Sequence, residues 1–328
     1  MRIKATVFAA SAISVCAFTS VWSQALIPQR SAAPPPAKAA APTPAPAPAP
    51  TTATAPAPTP APAAIKANCA NPNAIGVSRV VQIDTTGGPG FGFEHFKQLD
   101  FLRDKEVVLT FDDGPWPVNT PSVLKTLADE CTKAIFFPIG KHATYYPEIL
   151  KHVAADGHTI GAHTWSHANL NNKKLTDDQR KDEIEKGFSA VKWALGAAPS
   201  PLFRFPALQH PPTMVTYLGE RNISMWSCDL DSFDFKARTA QKVVDTVMSK
   251  LDKNGKGIIL MHDFQKHTAE ALPEIMKRLK AGGYKVVQVK AKAPMQTIAK
   301  YDEELVKDVK LPTVSARPVN SVVQTISE

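Results

Sequence analysis

From about residue 105 onward the chain alternates short β-rich apolar runs with longer segments of helical period. Val107–Phe111 predicts a strand, Asn119–Cys131 a helix and Ala134–Ile139 a strand stopped by Gly140. Tyr146–Ala155 predicts a helix and His158–Ala162 a short strand. Thr176-Asp177-Asp178-Gln179 has the form of a capping box, and Glu183, Phe188, Val191, Trp193 and Leu195 carry a helical pattern to Gly196. Leu202–Phe205 is extended, with a helix from about Pro212 to Leu218 and a strand at Ile223–Ser227. Thr239–Leu251 predicts a helix, Gly257–Met261 a strand, Thr268–Ala281 a helix closed by Gly282-Gly283, and Lys285–Val289 the last strand. Such alternation argues for a parallel α/β architecture, barrel or open sheet. Beyond Ala291 the polar tail, with its scattered prolines, is expected to be partly ordered at best.

Ahead of this region the pattern is of another kind. Met1-Arg2-Ile3-Lys4 precedes an uncharged apolar stretch, and Ser23-Gln24-Ala25 offers a small-x-small cleavage site. That is the form of a secretory signal peptide over residues 1–25, with an uncleaved membrane anchor as its rival. Residues 26–64 are mostly Pro, Ala and Thr, a composition that buries no core and favours extended polyproline II. Export to the periplasm or cell envelope follows, with a spacer ahead of the folded region. Residues 65–328, 264 in all, suffice for one sizeable core and come close to the roughly 250 of a (β/α) barrel. They hold all 30 acidic residues and 34 of the 38 basic ones, a balance of only +4. No interleaving of Arg/Lys with aromatics points to nucleic acid. Of the cysteines beyond the signal, Cys228 lies in an apolar run. Cys69 and Cys131 sit where polar segments meet the core and are the better disulfide pair.

The candidate chemistry lies at the predicted strand ends. Asp112-Asp113-Gly114-Pro115 closes the first strand: two adjacent carboxylates repel, and a bound cation would offset that cost. A solvated turn is the other reading. His163 and His167 follow the third strand; a helical turn there would bring both imidazoles to one metal. Arg204 sits among apolar residues and needs a carboxylate partner, within a site or as a structural ion pair. Asp229, Asp231 and Asp234 follow the next strand, and Leu260-Met261-His262-Asp263 ends the one after. In α/β folds, function collects at strand C-terminal ends.

Taken in order, Thr110-Phe111-Asp112-Asp113-Gly114-Pro115, His163/His167, Arg204-Phe205-Pro206, Asp231-Ser232-Phe233-Asp234 and Leu260-Met261-His262 resemble the five motifs of the NodB-type polysaccharide deacetylases, carbohydrate esterase family 4. The resemblance covers about residues 105–290. It implies a single NodB-homology domain at 65–290, a distorted (β/α) barrel of about seven parallel strands, followed by an extension at 291–328. It further implies that Asp113, His163 and His167 bind a divalent metal, zinc first, with cobalt, nickel or manganese as alternatives. Asp112 becomes the general base, held by Arg204, and His262 the general acid, held by Asp234. Ala207, Phe235, Leu260 and Trp226 become substrate contacts, Ala207 through its main-chain N–H. Trp116, Trp165 and Trp226 offer faces for sugar rings, with burial in the core as the other reading of each. Two departures stand out: Ala207 replaces the family's usual Tyr, and Phe235 its usual Trp. The implied reaction is removal of N-acetyl groups, as acetate, from a glycan containing N-acetylglucosamine, of the peptidoglycan or chitin type. An acetylxylan or other ester or amide hydrolase on the same fold, and an inactive glycan-binding envelope protein, are the alternatives. Oligomeric state is not legible.

Overall fold

The structure, a computed structural model, describes residues 69–308; the expected signal and spacer lie outside the described residues. The elements run β1 (Arg79–Ile83), β2 (Gly90–Phe91), β3 (Glu106–Asp112), α1 (Asn119–Asp129), β4 (Ile135–Phe137), α2 (Gly140–Tyr145), α3 (Pro147–Ala155), β5 (Thr159–Ile160) and α4 (Asp177–Leu195). They continue with β6 (Leu202–Phe203), α5 (Pro212–Glu220), β7 (Ser224–Trp226), β8 (Leu230–Asp231), α6 (Ala240–Asn254), β9 (Gly257–His262), α7 (Lys266–Ala281), β10 (Lys285–Ala291) and α8 (Ala299–Asp308).

β3 is the hub. All seven of its residues are buried, as expected of a parallel strand covered on both faces. β9 lies along one edge, while β10 and β4 share the other, β10 at its start and β4 at its end. β5 continues from β4, and a bridge from Ala162 to Phe203 carries the ring on to β6 and β7. β8 returns on β9, and every ladder is parallel. β3 to β9 thus form the staves of a distorted (β/α) barrel, and among the described residues no ladder joins β7 to β8. The Asp229 carboxylate works beside that seam, accepting from Phe93 N (2.6 Å) and Ile258 N (2.7 Å).

Strand parity decides which residues enter the barrel. Along β3, Val107, Leu109 and Phe111 join the large cluster beneath the helices, whereas Val108 joins a smaller one with Ile135, Phe137, Leu202, Trp226 and Ile258. With a period of two, Thr110 and Asp112 share the face of Val108, and Leu260 and His262 share that of Ile258. Arg204 follows Leu202 in the same way. The barrel interior is therefore apolar below and polar at its C-terminal rim. Gly161 lies where a Cβ would come within 2.3 Å of the Leu202 carbonyl oxygen, so only glycine fits between these strands.

The α4 capping box forms as its sequence requires: Gln179 N donates to Thr176 Oγ1 (3.2 Å) and Thr176 N to Gln179 Oε1 (2.9 Å). Gly196 ends the helix in left-handed backbone, φ 69. The expected strands at 134–139 and 158–162 are shorter, and Gly140 starts a helix rather than only stopping a strand. The sequence pattern missed β1, β2, β8 and α8. The last belongs to the tail expected to be partly ordered; it packs on α4 through buried Leu305, Tyr301 Oη to Asp182 (2.6 Å) and Lys192 to Asp302 (2.8 Å). Among the described residues no helix is long and apolar enough to cross a membrane.

Cys69 and Cys131 form a disulfide, and Cys228 is free and buried, as the sequence suggested. The bridge closes a loop of 62 residues, which by the chain-entropy argument contributes about 4 kcal/mol through the unfolded state. Reduction is therefore expected to lower the thermal midpoint. An unchanged midpoint after reduction, with both thiols shown free by mass mapping, would refute the contribution.

Candidate active site

The barrel rim gathers the candidates from five separate strand ends. Arg204 is fully buried and makes four hydrogen bonds. Nη1 donates to Thr110 Oγ1 (2.7 Å) and Asp112 Oδ1 (2.8 Å), Nη2 to the Ser227 carbonyl (2.8 Å), and Nε to the Trp226 carbonyl (3.1 Å). Its guanidinium also stacks 4.6 Å from the Phe137 centroid. A charge so enclosed is tolerated because each side of the planar fork meets an acceptor. The result is a rigid Asp112. Burial pushes its carboxyl up to about 6 even though Arg204 and His262 pull it down; the Asp113 charge adds to the rise. It is thereby poised to accept a proton near neutral pH.

Asp113 breaks the strand alternation with left-handed backbone, φ 73, and turns its side chain to the neighbouring loop. Its N–H donates to the Phe137 carbonyl (3.2 Å), and its own carbonyl accepts from His142 Nδ1 (2.6 Å). Asp113 Oδ1 lies 3.5 Å from His163 Nε2 and 3.4 Å from His167 Nε2. No helix brings the two imidazoles together, contrary to the expectation. Left-handed turns at Thr164 (φ 64) and His167 (φ 60) do so, setting the ring centroids 5.1 Å apart. That loop is fastened to α4, where Glu183 accepts from Ser166 N (2.9 Å) and Ser166 Oγ (2.8 Å) and its carbonyl accepts from Trp165 N (2.8 Å). At Gly187 a Cβ would lie 2.7 Å from Thr164, so the missing side chain permits the approach.

These three residues fit a metal. His163 Nδ1–H donates to the Arg204 carbonyl (2.7 Å), leaving the Nε2 lone pair facing Asp113. Burial, then the neighbouring His167, holds His163 well below the usual imidazole pKa, so it is neutral and free to ligate. Asp113 Oδ1 is buried without a hydrogen-bond partner, a costly state that a cation would relieve. The ligand atoms of Asp113, His163 and His167 lie within 4.8 Å of one another. The 3.4 and 3.5 Å separations match the edge of a tetrahedron with bonds of ~2.0–2.2 Å.

Opposite stands His262, its Nε2 3.9 Å from Asp113 Oδ2. Asp234 grips it twice: Oδ1 accepts from Nδ1 (2.6 Å) and Oδ2 from the backbone N–H (2.7 Å), while the Thr268 hydroxyl also donates to Oδ2. Burial opposes the imidazolium, but the Asp234 hydrogen bond and the charges of Asp234, Asp113 and Asp112 push His262 up to about 10. An imidazolium so held has a proton to give at neutral pH.

The expected substrate contacts divide. Phe235 is exposed, its ring centroid 5.6 Å from that of His262. Ala207 is exposed in a left-handed turn, φ 52 and ψ 21. Trp226, in contrast, is fully buried against Phe91 and Phe101 and offers no face to a ligand. The inward phase of β7 and the β2 segment, whose partners are remote in sequence, make it core. Leu260 is only 4% exposed and pads the barrel below His262. Trp116 is 36% exposed and lies edge-on to His142 (5.1 Å).

Sequence reasoning gave no site role to Thr110, His142, Glu183 or Thr268, because each acts through a partner far along the chain. Asp263, seen in the sequence without a role, is buried and accepts from Gly114 N (3.2 Å) and Thr120 Oγ1 (2.5 Å), pinning the turn after Asp113.

The family model described as polysaccharide deacetylase matches residues 101–226. A peptidoglycan-N-acetylmuramic acid deacetylase of Bacillus subtilis is 34% identical over 204 residues, 57% of this chain and 38% of that protein. The chain thus spans well under half of that relative's length. A chitooligosaccharide deacetylase of Sinorhizobium fredii is 31% identical over 175 residues, 51% of this chain and 80% of that protein. Among solved structures, a peptidoglycan deacetylase of Bdellovibrio bacteriovorus aligns with a TM-score of 0.60 at 32% identity, covering 66% of this chain and 59% of that chain.

Proposed function

The chain belongs to the polysaccharide deacetylase family, and we propose that it hydrolyses N-acetyl groups of an N-acetylglucosamine-containing glycan, releasing acetate. One observation carries the reading: a buried carboxylate held by Arg204 and an imidazolium held by Asp234 flank the orphaned oxygen of Asp113 and its two imidazoles. An amide is a poor electrophile with a poor leaving group, and this arrangement answers both difficulties.

Asp113, His163 and His167 would hold a divalent cation, zinc by its donor set, which when bound polarises the acetyl carbonyl and acidifies water. Asp112 takes the proton from the attacking water, and Arg204 fixes the orientation of its oxygens. As the C–N bond breaks, His262 gives its Nε2 proton to the departing amine, while Asp234 stabilises the imidazolium and aims it. The Ala207 N–H serves the developing oxyanion, and the exposed Phe235 ring walls the groove. The hydrogen-bond partners of Asp112 and His262 are already in place, so little reorganisation remains for the reaction itself. Export of this activity to the cell envelope belongs to the same proposal.

Acetate release from peptidoglycan, chitin oligomers and acetylxylan, with and without chelator, tests the assignment. The N-acetylated glycans are expected to yield acetate, chelation to abolish it and added zinc to restore it. Release from acetylxylan alone, or release indifferent to chelator, would overturn the reading. The rate should follow a bell in pH, rising as Asp112 ionises near 6 and falling as His262 loses its proton towards 10. A bound cation favours the ionised carboxylate and disfavours the imidazolium, so it moves both limbs to lower pH.

A further inference from the structure

Past Asp234, on the same C-terminal face, lies polar chemistry that the proposed reaction leaves unused. Phe233 adopts left-handed backbone, φ 51, and both it and Phe235 are exposed, at 41% and 49%. A strained residue holding large rings in water points to a function for those rings. The Lys236 ammonium stands 5.2 Å from the Phe233 centroid and 5.1 Å from that of Phe235, and Lys250 stands 4.1 Å from Phe233. Phe233 and Lys236 line a pocket of about 550 Å³ together with Ala237, Lys242, Asp245, Thr246 and Ser249.

The pocket is electropositive. Its carboxylate, Asp245, is engaged by Gln241 (2.8 Å) and faces Arg278 (3.6 Å), and Lys250 donates to the Asp231 carbonyl (2.7 Å). Among the described residues neither Lys236 nor Lys242 has a carboxylate partner. Phe235 links the pocket to the catalytic cluster, its ring centroid 5.6 Å from that of His262 and 5.1 Å from the Lys236 ammonium. A glycan leaving the catalytic cluster on this side crosses Phe235 and next meets the Lys236 ammonium.

We propose that this pocket is a subsite for a carboxylate carried by the glycan, which makes the substrate an anionic, peptidoglycan-type strand rather than a neutral chitin-type oligomer. The inference rests on the deacetylase reading of the adjoining site. Chitin presents hydroxyls and neutral amides, which call for no cation. A muramic acid unit bears a lactyl carboxyl group, either free or extended by a peptide that ends in carboxylates. Two ammonium groups without a carboxylate partner among the described residues, Lys236 beside the Phe233 and Phe235 rings and Lys242 across the same pocket, suit such a group: the rings carry the sugar and the lysines its charge.

The full chain, loaded with zinc, is assayed on glycan strands bearing peptides, on the same strands stripped of peptide, and on neutral chitin oligomers. The Lys236→Glu/Lys242→Glu variant is expected to raise KM for anionic relative to neutral substrate by about tenfold, since each exposed attraction becomes a repulsion. The Lys236→Arg/Lys242→Arg variant is expected to keep the wild-type ratio, and salt to shrink the wild-type preference. An effect confined to peptide-bearing strands assigns the carboxylate to the peptide; one that persists on stripped strands assigns it to the sugar. A KM ratio unmoved by charge reversal, or moved equally by the Arg variant, overturns the subsite. Absence of acetate from every substrate with wild type would instead overturn the deacetylase reading, and the subsite with it.

Discussion

Asp112→Asn is expected to keep its divalent metal at wild-type occupancy while acetate release falls about 10²–10⁴-fold, the usual loss for one general base. The amide matches the carboxylate in size, so Asp113, the neighbouring turn and the His163/His167 loop stay in place. What disappears is the proton acceptor. The variant also strands Arg204, whose charge is fully buried and whose Nη1 donates to Asp112 at 2.8 Å. Leaving such a charge uncompensated destabilises strongly, by roughly 3–5 kcal/mol where a buried pair is broken outright. The neutral amide oxygen still accepts a hydrogen bond, so the loss here falls below that figure and appears as a lowered thermal midpoint. Zinc content, acetate rate and melting are measured on one preparation. Loss of metal from Asp112→Asn would show that it is the ligand, and full activity would remove the deacetylase reading altogether.

His163→Ala is expected to lose metal and activity together. The residue is 2% exposed, its Nδ1 tied to the Arg204 carbonyl at 2.7 Å and its Nε2 aimed at Asp113. Deleting a ligand should cost more than the ~10–100-fold in affinity that follows loss of an outer partner. Elemental analysis after dialysis and calorimetric titration with zinc read this directly. Equal zinc occupancy in variant and wild type would dismiss the site. His167 is more exposed, so His167→Ala leaves the fold less disturbed and separates lost ligation from lost packing.

The divergence of Asp112 and Asp113 comes from one peptide bond. Asp112 is the last inward residue of β3 and obeys its alternation; Asp113 leaves it through a positive φ. The sequence shows two carboxylates at a strand end and therefore that they must be separated in role. Which one faces Arg204 depends on strand parity, and parity is legible. Which one meets the histidines depends on the loop packed on α4, and that is not.

What the sequence by itself determined are features whose causes lie within a few residues. The apolar run of β3 ending in carboxylates, the Thr176/Gln179 capping box and its closing Gly196 follow from local sterics and hydrogen bonding. The order of the five polar clusters at strand ends also belonged to the sequence, because a period of two delivers Asp112, Arg204 and His262 to one barrel rim. Tertiary structure decided whatever required a partner remote along the chain. β1 is an edge strand of five residues whose partner, β10, lies some two hundred positions away, as in Val80 with Gln288. Trp226 reads in sequence as a possible sugar platform and becomes core only because Phe91 arrives beside it. The His163/His167 pair meets through left-handed turns fastened by Glu183, not through a helical turn. Local preferences are short-ranged and survive in any context, whereas burial and ligand geometry are set by which distant segments share a boundary, a matter of packing the whole chain at once.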